Sequence, residues 1–169
     1  MTNDATYSGV KLGFIGVGNM GGALARAARK SVPGACIGLA GRAPEKIKIL
    51  AEELGCRASG GVGVAKWADY VFLGVKPQMM PELLTELKPE LVERPDRFVL
   101  VTMAAGLSIA RVQELAGGTY PVIRIMPNTP VAVGKGMILY TCGESVTGEE
   151  ERIFLEAMAG AGRFSRLPE

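Results

Sequence analysis

Residues 13–22 read GFIGVGNMGG, and this glycine-rich run constrains the fold more than any other feature of the chain. It closes a short apolar segment, Val10 to Ile15, broken only by Lys11 and Gly13. It opens an alanine- and arginine-rich helical segment from about Met20 to Lys30. Gly16, Gly18 and Gly21 fill the G-x-G-x-x-G spacing. In a strand–turn–helix unit each glycine has its own task. Gly16 allows the tight turn, Gly18 lets the backbone approach a pyrophosphate, and Gly21 lets helix and strand pack closely. The first N–H groups of the helix then face an anion, with a dipole of about half a charge behind them. The spacing alone would also suit a strand–helix junction that holds no ligand. Its position after a strand and before a helix points to a dinucleotide.

The rest of the chain repeats the same alternation. Ala35–Ala40, a short segment at Cys56–Ala58, Tyr70–Val75, Phe98–Thr102, Val122–Met126 and Gly136–Thr141 read as strands, and an edge strand surrounds Phe164. Pro44 suits the first turn of a helix running to Leu54, and Ser108 caps one running to about Ala116. Thr147 with Glu150 three residues on is a capping-box signature for a last helix to about Ala159. Residues 59–69, SGGVGVAKWAD, read as a loop. Near-continuous apolar strands separated by helices imply a mostly parallel sheet covered on both faces. The expected fold is α/β, a doubly wound Rossmann-type sheet over residues 10–169, behind a polar, flexible tail over residues 1–9.

Composition narrows the function. The 169 residues carry 19 basic and 17 acidic side chains, so the net charge of +2 gives no footprint for nucleic acid. No apolar run reaches membrane-spanning length, and the polar N-terminus is no signal peptide. Histidine is absent, and the three cysteines, Cys36, Cys56 and Cys142, lack metal spacing. No metal is expected, and a reducing, cytoplasmic setting is the simple reading.

A domain selective for NAD usually carries an acid at the end of its second strand. Here that stretch is LAGRAPEK, with Gly41 and Arg42 in the acid's place. Arg42 suits a 2′-phosphate, with Lys46 adding charge; Glu45 lies too far into the helix. The expectation is NADP, with NADPH preferred over NADH. A solvated loop arginine is the plainer alternative.

Three more segments fall at the carboxyl edge of the sheet, where such folds bind ligands. In LGVKPQ, Pro77 stops the strand, Gly74 leaves room for a ligand, and Lys76 stands at the strand mouth near the expected ribose and nicotinamide. In TMAAG, small side chains let a flat ring lie on the backbone. In RIMPNTP, two prolines stiffen a turn that presents Asn128 and Thr129. Each also has a structural reading: a surface charge, a tightly packed turn, a rigid turn satisfying its own backbone. Lys76 and Tyr140 are acid/base candidates by residue type alone.

Taken together and in this order, GFIGVGNMGGAL, LGVKPQ, TMAAGLSI and VIRIMPNTPVAVGKGM resemble the pyrroline-5-carboxylate reductase family from about Lys11 onward. RIMPNTP is the most specific of the four. The resemblance implies NADPH-dependent reduction of the C=N bond of pyrroline-5-carboxylate to proline. It implies that Gly16, Gly18, Asn19 and Met20, with Gly21 behind them, meet the pyrophosphate, and that Arg42 lies near the 2′-phosphate. Val75, Lys76 and Pro77 would flank the ribose and nicotinamide, and Ala104, Ala105 and Gly106 would line the nicotinamide pocket. Met126, Pro127, Asn128 and Thr129 would border the substrate.

Two departures stand out. Gly61 lies near a position where the family commonly places an adenosine-side asparagine, which implies weaker adenosine affinity. The family's C-terminal helical domain, with its substrate segment and homo-oligomer interface, is absent from these 169 residues. The expectation is therefore a cofactor-binding domain with little or no turnover alone. A non-catalytic nucleotide-binding module and a reductase of another imine or carrier remain alternatives. Loss of that domain is also expected to expose apolar side chains among Phe154, Leu155, Met158 and Phe164, unless these pack on the sheet.

Overall fold

In the computed structural model, which describes residues 9–168, one eight-stranded sheet runs through the molecule. Its strands are β1 (Leu12–Ile15), β2 (Ile37–Ala40), β3 (Arg57–Ala58), β4 (Tyr70–Leu73), β5 (Val99–Thr102), β6 (Val122–Met126), β7 (Gly136–Cys142) and β8 (Gly162–Arg166). Six helices connect them: α1 (Asn19–Arg29), α2 (Pro44–Leu54), α3 (Gly61–Trp67), α4 (Met80–Glu93), α5 (Ile109–Ala116) and α6 (Gly148–Ala157). Glu169 and most of the expected N-terminal tail lie outside the described residues.

The strand order is β3-β2-β1-β4-β5-β6-β7-β8. All neighbours pair in parallel except β6 and β7, which run antiparallel with Ile125 opposite Tyr140. The link from β6 to β7 is too short for a crossover helix, so β7 returns antiparallel. The chain leaves β1 toward β2 and β3 and comes back on the other side at β4. That reversal creates the crevice where open α/β sheets bind ligands.

Strands β1, β2, β4 and β5 are buried along their whole length, as a sheet covered on both faces requires. One core lies under α1, α2 and α6, where the rings of Phe14 and Phe72 stack at 4.3 Å and Phe154 packs on Phe72. The other lies under α3, α4 and α5 and contains Leu84, Leu87, Leu91 and Val112. Each fully buried side chain of this kind contributes roughly 1.5–3 kcal/mol. The expected caps are present: Pro44 in the first turn of α2, Ser108 on α5, and the Thr147/Glu150 capping box on α6. Phe154 and Met158 are buried, and Leu155 and Phe164 pack against the same core, so none of the four forms an open apolar face.

Two helices lie where the sequence pattern alone assigns none. The 59–69 stretch is not a loop: seven of its residues form α3, despite glycines at 61 and 63. Tertiary contacts hold it, since Val64 and Ala65 are buried and Arg94 donates to the Ala65 and Ala68 carbonyls at 2.8 and 2.6 Å. Helix α4 carries Pro81 in its first turn and Pro89 inside, yet Met80, Leu84, Leu87 and Leu91 repeat at helical spacing and are all buried. Two strand ends also differ from the reading. Residues 34–36 form a 3-10 turn ahead of β2, and β4 stops at Leu73 because Gly74 already belongs to the turn.

Candidate functional site

The first turn is built from backbone atoms in close approach. Gly16 has φ +91°, and its N–H donates to the Ala40 carbonyl at 2.8 Å. A Cβ at Gly21 would lie 2.1 Å from the Gly16 carbonyl oxygen, so only glycine lets α1 sit this close to the turn. A Cβ at Gly18 would meet nothing within 4 Å. Gly18 is exposed and is the N-cap of α1, with no side-chain cap and no acidic residue in the first turn. The first N–H groups of α1 therefore face open space at the positive end of the helix.

Gly74 behaves differently from the expectation. It lines the crevice, but a Cβ there would lie 2.4 Å from the Gly16 carbonyl oxygen. Its smallness serves the contact between neighbouring strand ends, where its own N–H donates to the Ile15 carbonyl at 2.7 Å, rather than room for a ligand.

These ends enclose a cavity of about 470 Å³ at the β1/β4 reversal, in the size range of small-molecule sites. Among the expected residues, Gly16, Gly18, Arg42, Val75 and Lys76 line it. Arg42 lies two residues past β2 in a strand-end sequence, Ala40 to Ala43, that carries no acid, and Glu45 is absent from the lining. Gly61 lines the cavity as the first residue of α3, and a Cβ there would make only ordinary contacts, at 3.8 and 4.0 Å. The charged lining is Arg42, Lys46 and Lys76 against Glu82 and Glu86. Met79, Glu82, Leu83 and Glu86 come from α4 and the turn before it, so sequence reading misses them together with that helix. Their signal is the helical period: Glu82 and Glu86 fall one turn apart on the exposed side of α4, while Leu83 packs partly against the core beneath it.

Asn19, Met20 and Gly21 form the first turn of α1 behind the cavity, and Pro77 starts the 3-10 turn that leads into α4. The remaining expected residues follow the next two strands along the same sheet edge and are not part of this cavity's lining. After β5, Ala104 is buried and its N–H donates to the Thr102 hydroxyl at 3.3 Å, while Ala105 and Gly106 are exposed and Gly106 has φ +82°. At the end of β6, Met126 is exposed and Pro127 half-buried. The Asn128 side-chain oxygen accepts from the Met137 N–H at 3.1 Å, so it ties β6 to β7. The Thr129 side chain lies outside the described residues.

Tyr140 is set apart from this edge. It is buried on β7, and its hydroxyl donates to Glu151 at 2.7 Å. Burial first, then that hydrogen bond, pushes its pKa well above the usual tyrosine range, and Tyr140 is not among the residues that line the cavity. Among the described residues no group of three or more His, Cys, Asp or Glu could hold a metal ion.

The features fit a dinucleotide: an open glycine where a phosphate needs close approach, an uncapped helix end behind it, and an exposed arginine just past the end of β2. A family model described as NADP oxidoreductase, coenzyme F420-dependent, matches residues 11–106. A pyrroline-5-carboxylate reductase from Corynebacterium melassecola is 48% identical over 83 residues, covering 49% of this chain and 31% of that protein. The Escherichia coli enzyme of the same name is 36% identical over 144 residues, covering 83% of this chain and 52% of the relative. The solved pyrroline-5-carboxylate reductase from Coxiella burnetii superposes with a TM-score of 0.89 at 24% identity, over 96% of this chain and 60% of that one, and shows the shared fold. The chain spans about half the length of the curated relatives that it matches over most of its own length.

Proposed function

The chain belongs to the family described as NADP oxidoreductase, coenzyme F420-dependent, and on that premise we propose that it is the NADPH-binding domain, residues 10–169, of a pyrroline-5-carboxylate reductase. The observation that carries the reading is the cavity at the β1/β4 reversal, with the open Gly18 turn at one side and Arg42 at the end of β2. Relatives aligned over 83% and 89% of the chain are named for the imine reaction, which favours that substrate over the carrier in the family's description.

In this reading the backbone of Gly16–Gly21 receives the pyrophosphate, and Arg42 receives the 2′-phosphate, with Lys46 adding positive charge. Val75, Lys76 and Pro77 border the ribose. Ala104–Gly106 and Met126–Thr129, on the next two strand ends of the same edge, border the nicotinamide and substrate. The bound cofactor supplies a hydride to the C=N carbon of pyrroline-5-carboxylate, giving proline. The chain's own task is to orient that face, which is a large part of such catalysis. Lys76, at the mouth of β4, is the acid candidate here by residue type. The chain covers about half of the relatives that it matches over most of its own length, so the anchor for the substrate carboxylate and the oligomer interface are assigned in this reading to the part of those relatives outside the alignment, and little turnover is expected from these residues alone. A cytoplasmic location goes with the reading, supported by three free cysteines.

The test is an assay of NADPH oxidation and proline formation with pyrroline-5-carboxylate. Saturable NADPH binding with little turnover is expected. Full proline-forming activity from these 169 residues would overturn the division of labour, and absence of NADPH binding would overturn the cofactor site.

A further inference from the structure

One contact in the cavity is not used by the cofactor reading. Arg42 leaves the end of β2 and reaches across the cavity to Glu82 in the first turn of α4, with Nη2 3.1 Å from Oε1. Both side chains line the cavity. We propose that Glu82 is a specificity-determining residue: by competing for Arg42, it sets how strongly the site prefers a dinucleotide with a 2′-phosphate over one with a bare 2′-hydroxyl. This rests on the reading of Arg42 as the 2′-phosphate contact.

A guanidinium is a planar fork that engages a carboxylate or a phosphate through the same donors, so a carboxylate that holds it diverts it from the ligand. A phosphate monoester carries about −1.5 to −2 charges near neutral pH, so a nearby carboxylate repels it, whereas an uncharged hydroxyl feels little. The side chains of Arg42 and Glu82 are 74% and 70% exposed, which places the pair among weak surface ion pairs. Glu82 is therefore a bias on the arginine, easily displaced, and not a block. Glu86 lines the cavity one turn further along α4 and adds charge of the same sign. Glu90, one more turn along, pairs with Lys66 at 3.8 Å outside the cavity lining and offers an internal control.

The experiment is fluorescence titration of the native chain, Glu82→Gln, Glu90→Gln, Arg42→Ala and the Arg42→Ala/Glu82→Gln double variant with NADPH and NADH. Surface pairs of this kind correspond to affinity changes of about two- to five-fold. Glu82→Gln should tighten NADPH by that factor and leave NADH unchanged, and Glu90→Gln should change neither. The gain should shrink as ionic strength rises and lose most of its size in the Arg42→Ala background, where only direct repulsion of the phosphate by Glu82 is left to relieve. The inference is overturned if Glu82→Gln leaves NADPH affinity unchanged or weakened, if it tightens both cofactors alike, or if the gain persists undiminished without Arg42. If Arg42→Ala itself fails to weaken NADPH, the underlying reading of Arg42 falls. If Arg42→Ala weakens NADPH while Glu82→Gln is silent, only the role of Glu82 falls.

Discussion

Replacing Gly21 and Gly18 by alanine, one at a time, separates the structural from the binding task of the glycine turn. At Gly21 the new Cβ would lie 2.1 Å from the Gly16 carbonyl oxygen. That oxygen is main chain, so no rotamer change relieves the overlap, and α1 or the turn must shift. Overpacking of this kind costs about 1–3 kcal/mol, offset by the up to about 1 kcal/mol that alanine gains over glycine in a helix. A net loss of about 1–2 kcal/mol lowers Tm by roughly 2–8 °C in a chain of this size. At Gly18 a Cβ meets nothing within 4 Å, and its φ of −68° suits any residue. The cost there is the poorer N-cap, about 0.5 kcal/mol. The methyl group would instead stand in the path of a pyrophosphate; a clash costing about 1–3 kcal/mol weakens binding roughly five- to 150-fold. Circular-dichroism melts and NADPH titrations read the two effects separately. The reasoning is refuted if Gly21→Ala melts like the native chain, or if folded Gly18→Ala binds NADPH as tightly as the native chain.

Two further predictions concern the frame around the site. The Arg94 side chain is 4% exposed, donates to the Ala65 and Ala68 carbonyls and pairs with Asp96 at 2.6 Å. Arg94→Met should cost about 2–4 kcal/mol by stranding two carbonyls at the end of α3, measured by urea unfolding, whereas a loss below about 1 kcal/mol would rule out this anchoring role. Burial works to raise the Glu150 carboxyl, but the Arg97 guanidinium and the Thr147 N–H outweigh it and hold its pKa below the ordinary glutamate value of 4.5. A depressed carboxylate pKa stabilises the fold above that value, and the contribution is lost as pH falls through the folded-state value. Glu150→Gln, which can keep the capping box, should be about 1 kcal/mol less stable at neutral pH, with the gap closing in acid. A gap independent of pH would show that the charge is not the cause.

Much of the sheet is legible in the sequence because interior strands such as LGFI, IGLA and YVFL are near-continuous apolar runs, each followed by a glycine. The glycine turn is legible because Gly16 and Gly21 answer separate demands of the backbone, a positive φ and a close helix approach, while Gly18 leaves open space between them. Helices α3 and α4 are not, for opposite reasons. Helix α3 has poor intrinsic propensity and is held by Arg94 from a distant loop, which no local pattern reports. Helix α4 has a clear apolar period, broken to the eye by Pro81 and Pro89. Missing α4 hides the whole acidic side of the cavity, including Glu82. Gly74 shows the remaining limit: a small residue at a strand end reads equally as space for a ligand or as contact with a neighbouring strand, and only the register of β1 against β4 decides for contact.

The most direct test of the account is titration of the purified chain with NADPH and with NADH, following nicotinamide fluorescence. The account predicts saturation by NADPH and weaker binding of NADH, with Arg42→Ala removing most of the difference. Binding of neither cofactor, or tighter binding of NADH, would contradict it.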